Sequence, residues 1–254
     1  MKLKELSNTG EYISSIGQGC MGIGGDFEKN TSSDRQFLWS LEYGIDLGMT
    51  FIDTAEVYAD GHSETLVGKA AKDKRDKLFI ASKFSPENNS YENVLTSAEK
   101  SLKRLNSSYI DLYQIHWPNP SIPIAETMMA LDKLVKDGKV RFVGLSNFSQ
   151  REMEEAQECI DPLKIVSNQI EYNLFDRFIE KSIMPYMQEN NSSVIAYSPL
   201  DKGHGFYSDE KVQLMENLTQ KYNKTTSQIS LNWLLSQENV FVIPKAAKKE
   251  HIEL

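Results

Sequence analysis

Four residues in the first half of the sequence have side chains that together could polarise and protonate a carbonyl group. Asp53 ends the apolar stretch Phe51–Ile52, Tyr58 lies in the segment after it, and Lys83 and His116 each follow a later apolar stretch. A phenol has a pKa of about 10, and a neighbouring ammonium group lowers that pKa. We therefore expect Lys83, kept charged by Asp53, to tune Tyr58 as a general acid–base while His116 orients the carbonyl oxygen.

Each of these residues also has an ordinary structural interpretation when it is considered alone. Asp53 and Tyr58 could be a loop acid and a half-buried aromatic residue, and Lys83 could be a rim lysine with a buried stem. His116 could belong to a plain His-Trp-Pro turn. Because no side chain donates a hydride, the carbonyl chemistry would also require a nicotinamide cofactor.

The elements that must position these residues are eight short apolar runs, which predict strands. Helical patterns fill the gaps between the runs, and strands that alternate with helices indicate a parallel sheet. Eight such units in 254 residues predict an α/β fold, a closed (β/α)8 TIM barrel. The runs are Ile16–Cys20, Thr50–Ile52, Leu78–Ala81, Ile110–Ile115, Val140–Leu145, Ile165–Ile170, Val194–Ala196 and Val240–Ile243.

The pattern at the two ends of the chain adds detail to this barrel. Alternating residues from Lys2 to Ile13 predict an N-terminal β-hairpin that closes the bottom of the barrel. An extra helical segment is expected around Asp209–Tyr222, and the C-terminus after the eighth strand is short. Residues 1–254 show no linker, so we expect a single domain.

Helix-start signals precede several of the helical patterns. Ser63 and Ser90 are candidate N-caps, and Ser149–Glu152 and Thr225–Gln228 have the spacing of capping boxes.

Further polar residues follow the later strands. Ser146 and Asn147 follow the fifth predicted strand, Gln169 ends the sixth, Tyr197 follows the seventh, and Lys245 follows the eighth. The carboxyl ends of all strands in such a barrel point to one face, where the active site is built. We therefore expect these residues to share a face with Asp53, Tyr58, Lys83 and His116.

Composition narrows the classes of partner. The formal net charge of −8 does not favour nucleic acid or an anionic membrane as a partner. No apolar run approaches the roughly 20 residues that span a bilayer, and the N-terminus has no apolar core of a signal peptide. Two cysteines, Cys20 and Cys159, make no disulfide framework and no metal-binding spacing. We expect a cytoplasmic protein without a metal site.

The motifs around these residues resemble those of the aldo-keto reductase family, and the resemblance extends from about Leu3 to the end of the chain. It implies a (β/α)8 barrel that binds NADP(H) without a Rossmann fold and reduces aldehydes or ketones to alcohols. The stretches that carry it are FIDTAEVYADGHSE, LFIASK, SLKRLNSSYIDLYQIHW, GKVRFVGLSNF, SNQIEYNLFDR, VIAYSPLDKG and LNWLLSQENVFVIPKAAKKEH.

The resemblance also implies roles for individual residues. Tyr58 would be the general acid–base, with Asp53, Lys83 and His116 completing a catalytic tetrad. For the cofactor, Ser146, Asn147 and Gln169 would bind the carboxamide, and Tyr197 would stack on the nicotinamide. Ser198, Pro199 and Leu200 would line the pyrophosphate path, and the long connection after them would close over it. Lys245 would meet the 2′-phosphate, and the substrate end would be lined by Met21, Tyr58, His116 and Trp117.

The sequence departs from the family pattern near the cofactor phosphate. Ala246 and His251 stand where some members have a hydroxyl residue and an arginine, although Lys248 keeps the segment basic. We expect NADPH as cofactor, with NADH possible, and also assign to its binding region Met21, Asp53, Ala246, Lys248 and His251. Met21 replaces a tryptophan found in many members, which should widen the pocket floor.

Two other functions stay open for a chain with this pattern. A Schiff-base aldolase would use Lys83 as nucleophile, although a nearby Asp53 opposes the depressed pKa that this needs. A non-catalytic barrel that senses NADPH, similar to channel-associated subunits, would keep the same residues without turnover. The expected partner is a small carbonyl substrate, and the expected state is a monomer or weak oligomer.

Overall fold

The computed structural model describes residues 1–201 and 209–253, and its largest sheet has eight parallel strands in sequence order. Backbone hydrogen bonds also join the first part of this sheet to the last. Gly17 N donates to Val242 O at 2.8 Å, and Val242 N donates to Ser15 O at 3.1 Å. The predicted barrel is confirmed. The strands are β3 (Gln18–Gly19), β4 (Phe51–Asp53), β5 (Phe79–Phe84), β6 (Ile110–Ile115), β7 (Val140–Ser146), β8 (Ile165–Glu171), β9 (Ser193–Tyr197) and β10 (Val240–Val242).

The base of the barrel is covered by a hairpin of β1 (Leu3–Glu5) and β2 (Tyr12–Ser14), as predicted. Lys4 Nζ donates to the carbonyls of Leu235, Gln237 and Val240 at 2.8, 3.1 and 3.0 Å. The hairpin is therefore fastened to the segment that leads into β10.

Helices surround the sheet because each presents an apolar stripe to the outer side of the strands. In the described residues these are α1 (Asp34–Asp46), α2 (His62–Ala70), α3 (Tyr91–Leu105), α4 (Ile124–Lys136), α5 (Gln150–Glu158), α6 (Ile183–Glu189), α7 (Asp209–Tyr222), α8 (Thr226–Ser236) and α9 (Lys249–Ile252). The predicted extra helix corresponds to α7.

The helix starts follow the sequence signals with one exception. Ser90 is the N-cap of α3, and both capping boxes, Ser149–Glu152 and Thr225–Gln228, are present. The prediction for Ser63 is wrong, because α2 already begins at His62.

The Ser63 hydroxyl is instead used between two loops. It is 3.0 Å from Thr54 Oγ1 and donates to Cys20 O at 3.3 Å, so it joins the segments that follow β3 and β4.

The barrel interior changes from apolar to polar along its axis. Apolar side chains fill the lower part, including Leu6 and Ile13 from the hairpin with Phe51, Phe79, Leu112 and Phe241. Above them the inward-facing positions become Asp53, Lys83 and Gln114, all buried. The polar layer therefore lies at the carboxyl ends of the strands, where the sequence places the active site.

Candidate active site

The Lys83 ammonium lies at the centre of the polar layer. It donates to Asp53 Oδ2 at 2.7 Å, to the Thr54 carbonyl at 3.0 Å and to the Tyr58 hydroxyl at 3.3 Å. Lys83 is fully buried, and Asp53 and Tyr58 are 2% and 7% exposed. Lys83 lies inside β5 rather than after it, where alternation along the strand turns its side chain into the barrel.

Tyr58 is presented by a turn that runs through the left-handed region of backbone space. Ala59, Asp60 and Gly61 have φ values of 52°, 52° and 76°, so the chain reverses immediately after the phenol. Ala59 N donates to Asp26 O at 2.7 Å, which ties this turn to the loop between β3 and α1. The reversal directs the Tyr58 hydroxyl towards Lys83.

His116 lies on the other side of the phenol. The Tyr58 and His116 ring centroids are 5.8 Å apart, with the planes 79° apart in an edge-to-face arrangement. Burial, together with the positive charge of Lys83, lowers the pKa of His116 from 6.5 to about 3. The imidazole is therefore neutral near pH 7, so any role in the site would depend on hydrogen bonding rather than on charge.

The electrostatics of the phenol differ from the sequence-based expectation. Burial raises the pKa of Tyr58 above its ordinary value, and this outweighs the opposing effect of the neighbouring Lys83 ammonium. The expected net lowering is therefore wrong in sign for the protein alone, because a phenolate loses more from desolvation than it gains from one cation. A protonated Tyr58 is the form that can donate to a carbonyl oxygen.

Lys83 lacks the properties of a Schiff-base nucleophile. Burial acts to lower the pKa of Lys83, but Asp53 and Tyr58 raise it, and the net shift is upward. An amine that stays protonated in an ion pair cannot attack a carbonyl carbon, so the geometry disfavours the aldolase.

A second polar group lies beside the tetrad at the ends of β7, β8 and β9. The Tyr197 hydroxyl donates to Asn147 Oδ1 at 2.9 Å, and Asn147 Nδ2 donates to Ser146 Oγ at 3.0 Å. Asn147 Nδ2 also donates to the His116 carbonyl at 3.1 Å. Gln169 Nε2 donates to Asp53 Oδ1 at 2.7 Å. These contacts join the predicted carboxamide-binding residues to the catalytic ones.

The remaining predicted residues form the outer part of the site. Met21 and Trp117, predicted to line the substrate end, are 53% and 49% exposed. Ser198, at φ 46°, and the buried Pro199 lead away from Tyr197, and Leu200 follows them. The predicted covering connection includes residues 202–208, which lie outside the described residues.

The predicted phosphate segment lies near the loop after β3. Lys245 is exposed, and its Nζ donates to Gly22 O at 3.5 Å. Lys248 and His251 are also exposed, and Ala246 is partly buried. The structure thus leaves the cationic groups of this segment accessible to an anion.

Comparison with known proteins identifies the family. Residues 15–254 match the model of the aldo/keto reductase family. The chain belongs to the aldo/keto reductase family. The methylglyoxal reductase YeaE of Escherichia coli (strain K12) is 35% identical over 255 residues, covering all of this chain and 88% of that protein.

Solved structures of aldo/keto reductases have the same fold. A thermostable aldo-keto reductase, Tm1743, in complex with the inhibitor epalrestat matches with a TM-score of 0.96 and 42% identity, over 100% of this chain and 92% of that one. An aldo-keto reductase from Klebsiella pneumoniae in complex with NADPH matches with a TM-score of 0.89 and 33% identity, over 99% and 88%.

Family membership confirms the predicted reaction class and fold. The protein is an oxidoreductase of the aldo/keto reductase family, whose members act on the carbonyl groups of small molecules. NADPH, the cofactor expected from the sequence, is present in the Klebsiella structure. Within residues 1–201 and 209–253, no helix is long and apolar enough to cross a membrane.

The residues at the ends of β7 to β9 fit a nicotinamide cofactor chemically. Asn147, Gln169 and Ser146 provide amide and hydroxyl groups, which can both donate to and accept from a carboxamide. The Tyr197 side chain is only partly buried, and its hydroxyl is held by a hydrogen bond to Asn147. Lys245 provides the positive charge that a phosphate requires.

Sequence reasoning missed Gln114 as part of this aldo/keto reductase site. Its amide Nε2 donates to Asp53 Oδ1 at 3.4 Å, and its side chain is fully buried. The signal was present in the alternation Leu112, Gln114, His116, which places an amide on the same face of β6 as the histidine.

Proposed function

We propose that this protein reduces a small aldehyde or ketone with NADPH, with Tyr58 donating the proton. The observation that carries the proposal is the hydrogen bond from the Lys83 ammonium to the Tyr58 hydroxyl at 3.3 Å, together with the Lys83–Asp53 ion pair at 2.7 Å. When bound, the nicotinamide supplies the hydride that reaches the carbonyl carbon. As negative charge develops on the carbonyl oxygen, Tyr58 transfers its proton and Lys83 stabilises the phenolate that remains.

The other tetrad residues hold this arrangement in place. Asp53 keeps Lys83 charged and fixed, and a neutral His116 donates a hydrogen bond that orients the carbonyl oxygen towards Tyr58. Two amide donors on Asp53 Oδ1, from Gln114 and Gln169, support the carboxylate. Asp53, Lys83, Gln114 and Gln169 are buried, which strengthens the electrostatic contacts among them.

Most of the proposed cofactor-binding residues belong to the polar group at the ends of β7, β8 and β9. Ser146, Asn147 and Gln169 would hold the carboxamide, Tyr197 would pack on the ring, and the segment from Ser198 to Leu200 would accompany the pyrophosphate. Lys245 would bind the 2′-phosphate, supported by the basic Lys248 nearby.

A small α-oxoaldehyde is the substrate class that we favour. The relative YeaE is named a methylglyoxal reductase, and it matches over the whole of this chain. Met21 and Trp117, assigned to the substrate end, are exposed and offer apolar contacts to a short carbon chain. The physical preference is therefore for a compact, uncharged carbonyl compound.

Turnover measurements test this function. We expect NADPH oxidation with methylglyoxal, glyoxal and simple aldehydes, at lower rates with ketones and sugars, and at lower rates again with NADH. Absence of NADPH oxidation with every member of the panel would instead support the non-catalytic, NADPH-sensing alternative.

Cofactor choice is tested at Lys245. Lys245→Ala should weaken NADPH binding by about tenfold, because a charge-assisted phosphate contact is lost, and should leave NADH binding nearly unchanged. Fluorescence titration with both cofactors measures this, with Lys164→Ala as the control at another exposed lysine. Equal weakening of NADPH and NADH would contradict the proposed role.

We further propose that residues 1–254 form one domain and that the protein works in the cytoplasm as a monomer or weak oligomer. It would do so without nucleic-acid or membrane partners. Both cysteines, Cys20 and Cys159, are free thiols, which suits a reducing compartment. Sedimentation analysis with and without NADPH measures the oligomeric state.

A further inference from the structure

We propose that Gln114 is a positioning residue of the reductase, the fixed donor that holds Asp53 in the orientation needed by Lys83. Asp53 uses its two oxygens differently: Oδ2 accepts from Lys83 at 2.7 Å, and Oδ1 accepts from Gln169 at 2.7 Å and Gln114 at 3.4 Å. The proposal rests on the proposed role of Tyr58, because Lys83 joins Asp53 to that phenol.

Gln114 is buried in a space that a neighbouring glycine leaves open. Gly144 pairs with Gln114 across β6 and β7, and a Cβ at Gly144 would lie 3.1 Å from Gln114 Cγ and 2.6 Å from Ser167 Oγ. Any larger residue at 144 would displace the amide side chain. The local packing therefore fixes Gln114 beneath the tetrad.

Burying the amide of Gln114 has a free-energy cost that an apolar residue at position 114 would avoid. Gln114 is fully buried, and its Oε1 has no hydrogen-bond partner in the part of the chain that the structure describes. Leu112, two residues earlier on the same face, packs in the apolar interior. Burial of an unpaired carbonyl oxygen is unfavourable, so the useful part of the Gln114 side chain is its donor to Asp53.

Gln114 and Gln169 are not equivalent donors. Gln169 is also the residue proposed to bind the cofactor carboxamide, so its amide must serve two partners when cofactor is present. Gln114 is fully buried and has no proposed cofactor partner, so its contact with Asp53 need not change when cofactor binds. We infer that Gln114 keeps the carboxylate oriented through the catalytic cycle.

The test variant is Gln114→Met, which keeps the length of the side chain and removes the hydrogen-bond donor to Asp53. Ser167→Ala is the matched control. Ser167 Oγ is also buried without a partner among the described residues, but it makes no hydrogen bond to Asp53. Measurements are kcat across pH, the NADPH Kd by fluorescence, and the melting temperature.

We expect Gln114→Met to lower kcat about tenfold, the size expected for loss of a hydrogen bond to a charged group. Its NADPH Kd should stay within about twofold, and its melting temperature should not fall, because the buried unpaired oxygen is removed with the donor. The basic limb of its kcat profile should move to lower pH, because Asp53 is the carboxylate that raises the pKa of Lys83, and a misplaced Asp53 does so less. The titratable groups facing Asp53 in the described structure are Lys83, Tyr58 and Cys20.

Gln114→Glu extends the test, because it replaces the donor by an acidic group beside Asp53. It should lower kcat further than Gln114→Met does. Ser167→Ala should keep the wild-type kcat and pH profile.

A wild-type kcat and pH profile in Gln114→Met would overturn the proposal. So would a loss of kcat that only follows a lower melting temperature with the pH profile unchanged. If Gln114→Met does not fold, Gln114→Asn, whose amide is one methylene too short, takes its place with the same criteria. Failure of the proposed function itself is recognised separately, since Tyr58→Phe would then retain turnover.

Discussion

Two ion pairs have buried carboxylates: an inner pair, Lys83 with Asp53, and an outer pair, Arg104 with Glu64. The two pairs serve different purposes. Lys83 Nζ is 2.7 Å from Asp53 inside the barrel mouth, and Arg104 Nε is 2.6 Å from Glu64 between α2 and α3. The carboxylates are almost equally inaccessible, at 2% and 0% exposure. Burial of the carboxylate therefore does not distinguish the two pairs, and what differs is where each pair directs its remaining hydrogen-bonding groups.

The outer pair is completed by neighbours that do no chemistry. Ser82 donates to Glu64 Oε1 at 2.5 Å, and Arg104 Nη2 donates to Ser101 Oγ at 3.2 Å. The Arg104 side chain also lies against Gly61, in the turn that presents Tyr58. The inner pair leaves one ammonium proton for the phenol, whereas the outer pair holds the turn that carries the phenol. Placement, rather than interaction type, separates the pair proposed to act in catalysis from the structural one.

The largest effect should come from removing the Tyr58 hydroxyl, which accepts a hydrogen bond from Lys83 of the inner pair. Tyr58→Phe should lower kcat about a thousandfold while NADPH affinity and melting temperature stay near wild type, since only the proton donor is lost. Stopped-flow or steady-state NADPH oxidation measures this. The control is Tyr113→Phe, because Tyr113 packs in the outer core and should leave turnover unchanged. Substantial turnover in Tyr58→Phe would remove Tyr58 as the acid.

Breaking the outer pair should affect stability more than chemistry. Arg104→Met leaves the buried Glu64 without its cation and should reduce the free energy of unfolding by about 3 kcal/mol. The change in kcat, measured well below the melting temperature, should stay within about threefold. Urea denaturation gives the stability, and Arg151→Met, at an exposed pair with Glu155, should change it by less than about 0.5 kcal/mol. A thousandfold loss of kcat in Arg104→Met would erase the distinction between the pairs.

The contact between the outer pair and the turn is tested at Gly61. Gly61 has φ 76°, and a Cβ there would lie 2.5 Å from Arg104 Cδ, so Gly61→Ala should cost about 2 kcal/mol and reduce kcat. Gly138 has a similar φ of 72° but no atom within 4 Å of its Cβ position. Gly138→Ala therefore measures the backbone cost alone, about 1 kcal/mol. Equal losses in both variants would mean that Arg104 does not restrain the turn.

The smallest effect concerns His116 beside the inner pair. Its pKa of about 3 in the folded protein lies below its ordinary value of 6.5. Between these values the unfolded chain binds a proton that the folded protein does not, so the free energy of unfolding decreases as pH falls through this window. We expect His116→Gln to reduce that decrease by about 1 kcal/mol between pH 7 and pH 5.5, measured by urea denaturation. The exposed His251→Gln should leave the decrease unchanged.

The barrel and most of the site could be predicted because both depend on local pattern. Short apolar runs mark the strands, and each functional group lies at or near a strand end, so closure of the sheet brings Asp53, Lys83 and His116 together. The Ser149–Glu152 capping box depends on a four-residue spacing, and the structure contains it.

What could not be predicted depends on three-dimensional surroundings. The direction of the Tyr58 pKa shift depends on how deeply the phenol is buried, because the effect of burial exceeds the opposing effect of the Lys83 ammonium. Gln114 occupies space left by Gly144 on the next strand, a pairing that depends on register. Ser63 looked like a cap, but its hydroxyl joins two loops that are distant in sequence from its own helix start.

The hydrogen bonds of Lys4 constrain the order in which the parts of the molecule can assemble during synthesis. Its ammonium contacts the carbonyl of Val240, 236 positions further along the polypeptide. A ribosome releases the chain from its amino end, so Lys4 emerges well before its partner at Val240. The floor of the barrel therefore cannot be sealed before the eighth strand of the barrel, β10, has been synthesised.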